Sequence, residues 1–67
     1  MTIQKKHRNK YGCTTLAVEV DTEKKRVILY HGQTAPISGD WKKTTRKEVW
    51  ETFEAYAENP LYTVEEM

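Results

Sequence analysis

Residues 26 to 31 read RVILYH, and both faces of that run are apolar. Side chains alternate along a strand, so Val27 and Leu29 share one face while Ile28 and Tyr30 share the other. Such a strand has to be central in a sheet or covered on both sides. In a chain of 67 residues that demand shapes everything else. A domain this small buries a modest fraction of its surface, so most of its large apolar side chains belong to one core. Little room is left for the pocket of roughly 300 Å³ or more that small-molecule chemistry usually occupies. An enzyme is therefore not expected.

The preceding run, TTLAVEVD (residues 14 to 21), alternates Leu16, Val18 and Val20 with Ala17, Glu19 and Asp21, the pattern of a half-buried strand. Between the two runs, TEKK has the length of a four-residue hairpin loop built round a type I turn. Residues 32 to 40 are punctuated by Gly32, Pro36 and Ser38-Gly39-Asp40. Pro36 confines any strand there to an edge or a short piece. Residues 41 to 44 and the segment before Tyr11 are further strand candidates.

One helix is clearly marked. Thr45 and Glu48 form a capping box ahead of an apolar run, and the helical pattern continues to Glu58. At one residue per 100°, Val49, Trp50, Phe53, Tyr56 and Ala57 fall within an arc of about 120°. Glu51, Glu54 and Glu58 fall within a separate arc of about 60° beside it. Asn59-Pro60 stops the helix, because proline disfavours the α conformation in the residue before it. Residues 61 to 67 read as a short return strand or a tail. The expected fold is α+β: one domain, residues 1–67, with a small antiparallel sheet of about three strands packed against one C-terminal amphipathic helix. Residues 1–10 form a basic N-terminal segment.

Charge is segregated. All eleven Lys and Arg lie in residues 1 to 47, where four acids leave a balance of +7; residues 48 to 67 hold six glutamates and no base, a balance of −6. Such asymmetry points to an interaction role. The bases fall into three clusters: Lys5, Lys6, Arg8 and Lys10; Lys24, Lys25 and Arg26; Lys42, Lys43, Arg46 and Lys47. Bases of this kind neutralise phosphates, and Tyr11, Tyr30 and Trp41 lie near enough in sequence to stack on nucleobases. Against this, the pI of 7.9 is below the ~9 of a dedicated nucleic-acid domain. The lysines also have a plainer use, in keeping edge strands from pairing.

Other chemistries lack their residues. Cys13 is the single cysteine, so no internal disulfide forms; it reads as a semi-buried thiol. His7, His31 and Cys13 are too few and too scattered for a zinc site. Ser38, the one serine, sits in a turn with no evident base. Gly12, Gly32 and Gly39 form no phosphate loop. No cofactor or metal is expected. No apolar run reaches the ~18 residues of a membrane span, and no signal-peptide core follows the basic start. The chain therefore reads as a complete cytoplasmic protein.

The run KYGCTTLAVEVD…KKRVILY, followed after a gap by EVWETFEAY, resembles small uncharacterised proteins of phage and prophage genomes. In that group a hairpin precedes a segment ending in two spaced aromatics, and SH3-like or KOW-like mini-barrels are expected. The resemblance spans roughly residues 10 to 56. It implies a small accessory protein of a mobile element that acts by binding host machinery. Residues 45 to 58 depart from the pattern: a barrel would spend them on a turn and a closing strand, and here they read as a capped helix.

The expected function is that of a non-enzymatic regulator binding a partner protein through the acidic arc (Glu51, Glu54, Glu58) and exposed aromatics such as Trp41. Direct nucleic-acid binding by Lys5, Lys6, Arg8, Lys10, Tyr11, Lys24, Lys25, Arg26, Lys42 and Lys43, with Tyr30, is the alternative. Self-association of an acidic helix on the basic sheet edge of a second copy is a third reading.

Overall fold

The double-faced strand sits inside a sheet, with neighbours on both sides. The structure, a computed structural model, describes residues 1–11, 14–32 and 42–67, the side chain of Lys42 excepted. Strands β1 (Thr2–Arg8), β2 (Thr14–Asp21) and β3 (Arg26–His31) form an antiparallel meander. The two-residue strand β4 (Lys42–Lys43) then joins β1 in parallel. Helix α1 (Arg46–Ala57) follows, and β5 (Thr63–Glu66) joins β3 in parallel. Among the described residues the order is β4-β1-β2-β3-β5, four full strands and the short β4.

The class is α+β, but two expectations are corrected. The sheet is mixed and larger than three antiparallel strands. The helix is not the last element. Both corrections have one cause. A parallel connection needs a long crossover, usually a helix. Here α1 is that crossover, carrying the chain from β4 on one edge to β5 on the other. The basic N-terminal segment is correspondingly a strand, β1, and residues 63 to 66 resolve the choice between strand and tail.

Period two places the core. Leu16, Val18 and Val20 of β2 and Val27 and Leu29 of β3 meet Val49 and Phe53 of α1. Ile3, Trp50, Tyr56, Ala57 and Tyr62 pack round them. The helix arc derived from spacing is thus the one turned to the sheet. The other face of β2 and β3 carries a second buried cluster, Ala17, Ile28 and Tyr30. Each fully buried Val or Leu contributes on the order of 1.5–3 kcal/mol over its exposed state.

Local chemistry fixes the connections. Asp21 Oδ1 accepts from the amides of Glu23 and Lys24, both at 3.0 Å, closing the β2–β3 loop over four residues. Lys25 ends that loop at φ 56°, a left-handed conformation that costs an L-residue about 1–2 kcal/mol. Thr45 Oγ1 accepts from the Glu48 amide at 3.2 Å, as the capping box requires. The Glu48 carboxylate reaches one residue further back, to the Thr44 hydroxyl. After α1, Asn59 Oδ1 accepts from the Leu61 amide at 2.9 Å and turns the chain. Tyr62 then meets Tyr56, ring centroids 5.2 Å apart, and β5 begins.

Two substitutions separate core from cap. Leu29→Ala is expected to cost about 2–5 kcal/mol, enough to unfold much of a domain this small. Thr45→Ala is expected to cost about 1 kcal/mol. Urea unfolding followed by circular dichroism measures both; equal losses would contradict this account.

Candidate functional site: two charged edges

The first basic cluster is divided by the pleat of β1. Lys5 lies on the helix side with Ile3 and His7, while Gln4 and Lys6 lie on the far side. His7 Nδ1 is 3.4 Å from the Thr44 carbonyl oxygen. In the β1–β4 ladder Lys5 stands opposite Lys42 and Lys6 opposite Lys43. The first and third clusters therefore merge along one edge. Arg8 closes β1, and Lys10 follows it with its Nζ 5.0 Å from the ring centroid of Tyr11. Tyr11 is 76% exposed and open to stacking.

The second cluster lies elsewhere. Asp21, at the mouth of the β2–β3 turn, pairs with Thr2, so Lys24 and Lys25 sit at the end of the sheet where β1 starts. Arg8 and Lys10 lie at the other end. Arg26 is spent on Glu65, with Nε to Oε1 at 3.1 Å and a terminal nitrogen to Oε2 at 2.7 Å. Lys25 Nζ lies 5.6 Å from the ring centroid of Tyr62. Tyr30 is 7% exposed, and its hydroxyl donates to Glu19 at 3.5 Å. Burial withholds the Tyr30 ring from stacking, and the half-exposed Arg26 guanidinium is paired with Glu65.

The acidic arc is exposed. Glu51, Glu54 and Glu58 all face outward, with Glu51 3.8 Å from Lys47 one turn back. The last helical turn holds no base. Trp41 and Cys13 lie outside the described residues, as does the side chain of Lys42.

The far face of the sheet carries a polar network that composition alone did not reveal. Gln4 donates to Glu19 at 3.0 Å, and Glu19 also accepts from Tyr30. Thr2, Glu19, Asp21, Lys24, Arg26 and Ile28 line a cavity of about 160 Å³, roughly half the smallest usual ligand pocket. The signal was there in period two. Once residues 63 to 66 are read as a strand, Thr63 and Glu65 share the face of Arg26.

These contacts shift titrations. The Lys24 amide, helped by that of Glu23, holds Asp21 below the usual carboxylate range. The hydrogen bond from Arg26 lowers Glu65 and, in return, raises Arg26. Burial, then the charge of Glu19, pushes Tyr30 up.

No protein-family model, curated protein or solved structure matches this chain. Among the described residues no helix is long and apolar enough to cross a membrane. No three His, Cys, Asp or Glu side chains among them are grouped to hold a metal ion.

Depressed carboxylate pKa values give stability that is present above the unfolded-state value, near pH 4, and lost as pH falls through the folded value. The melting temperature is therefore expected to hold at mild acidity and drop below about pH 4. Asp21→Asn and Glu65→Gln should each flatten that acid limb. Melting curves taken from neutral pH to about pH 2 check this, and an unchanged slope in both variants would contradict it.

Proposed function

We propose that this protein is a non-enzymatic accessory protein, of the phage-type kind its sequence resembles, that binds a basic surface on a partner protein through Glu51, Glu54 and Glu58. Trp41 stands as the sequence-based candidate for an aromatic anchor. One observation carries the reading. Exposed Glu54 and Glu58 sit toward the negative end of the α1 dipole, and the last turn holds no base to offset them. The macrodipole prefers the opposite arrangement by ~0.3–1 kcal/mol per charge. Among the described residues Lys47 reaches Glu51, at 3.8 Å, and no ion pair offsets Glu54 or Glu58. The merged cluster lies at β1 and β4, next to the start of α1. An acidic end left in this state matches an external cationic surface and steers its approach.

A specific observation supports a second reading, direct nucleic-acid binding. The β1–β4 register, Lys5 opposite Lys42 and Lys6 opposite Lys43, gathers basic residues along one edge. Phosphates would follow that edge, with a base stacked on Tyr11.

The two readings separate cleanly. A Glu51→Lys, Glu54→Lys, Glu58→Lys variant with an unchanged circular dichroism spectrum should lose the partners that the parent protein captures at low salt. An unchanged set of partners would overturn the acidic-arc reading. For nucleic acid, labelled single strands and duplexes are titrated at two salt concentrations. Binding that falls steeply with salt, and falls further in Lys5→Ala, Lys6→Ala, Lys43→Ala, supports the second reading. No binding even at low salt removes it.

A further inference from the structure

The outer edge of β5 is an open hydrogen-bonding template. Thr63 and Met67 donate their amides inward, to the carbonyls of Lys25 and Leu29, each at 2.8 Å. The two-residue period then turns the amides and carbonyls of Val64 and Glu66 outward. Among the described residues nothing pairs with that edge. Val64 is 43% exposed, on the same side of the strand as Glu66. Glu66 is reached by His31 at 3.6 Å yet stays mostly in solvent.

The charges choose between occupants. Pairing β5 with β5 of a second copy would bring four carboxylates, Glu65 and Glu66 from each chain, onto one short ladder. Directly opposed like charges destabilise such a ladder, which is how edge strands are kept from self-pairing. The same carboxylates favour a basic strand. Arg26 already engages Glu65, so Glu66 is the carboxylate left for the newcomer, with Val64 two residues before it on that side.

We propose that the β5 edge binds an extended basic segment of a partner protein by strand addition. The added strand takes the outward main-chain groups of Val64 and Glu66. It sets a Lys or Arg beside Glu66 and an apolar side chain beside Val64. The inference shares with the proposed function only a basic protein partner; it places the contact on β5, not on the helix arc.

The probe is an acetylated, amidated heptapeptide, Thr-Lys-Thr-Val-Thr-Lys-Thr, which carries Lys and Val on one face two residues apart in either strand direction; it is titrated into the full chain at low salt and followed by amide NMR. The Val64 and Glu66 amides should shift and exchange more slowly. A peptide of the same sequence with alternate amides N-methylated keeps its charge but loses the ladder, and should bind about tenfold or more weakly. Val64→Pro removes an outward donor while leaving the inward ladder intact, and should weaken binding about as much. Glu66→Lys serves as a second variant should the proline disturb the fold. Glu51→Lys, Glu54→Lys, Glu58→Lys should bind the peptide within about twofold of the parent. Equal binding of the N-methylated peptide overturns strand addition, as does no binding of either peptide at low salt. Binding abolished by the helix variant but untouched by Val64→Pro moves the contact to the helix arc, which keeps the proposed function and overturns this inference.

Discussion

Everything in this fold answers to the burial of β3 on both faces. Val27 and Leu29 need a lid, and α1 supplies it with Val49 and Phe53. Ile28 and Tyr30 are buried on the other side beside Ala17, at the centre of the sheet. A strand in that position has no tolerance for a slip in register. Moving it by one residue would exchange the Val27–Leu29 pair with the Ile28–Tyr30 pair and turn the Tyr30 hydroxyl towards an apolar lid. The Asp21 loop fixes the β2–β3 register at the turn, and the Arg26–Glu65 fork, at the same end of β3, ties that strand to β5. They are exposed contacts whose value is geometric more than energetic.

Charge follows from the same topology. The helix leaves β4, on the basic edge, and delivers the chain to β5, on the acidic one. A net charge of +1 therefore conceals a molecule with two poles. Such a layout discriminates among partners more than it adds affinity, because each edge repels what the other attracts.

Legibility varied with how local the signal was. The two long hairpin strands and the capped helix were readable because alternation, Thr45, Glu48 and Pro60 act within a few residues of one another. The helix face was readable for the same reason. β4 and β5 were legible only as strand candidates, since two and four residues are too few to show a period and each is ordered by a partner distant in sequence. The site was half legible. The exposure of Glu51, Glu54 and Glu58 followed from helical geometry. The merging of two basic clusters did not, because it depends on β1 and β4 lying side by side. The burial of Tyr30 and the pairing of Arg26 are likewise tertiary events: only the sheet order brings Glu65 to Arg26.

The crossover through α1 also bears on the order of assembly. The meander β1–β2–β3 closes through near neighbours, so its loop-closure entropy is small. The segment from β4 to β5 depends on partners more distant in sequence and completes three tasks together: it shields the apolar side of the meander, extends one edge and extends the other. A meander without it would expose an apolar sheet with two bare rims, the form that invites wrong partners. The last third of the chain thus covers what the first two thirds would otherwise leave open.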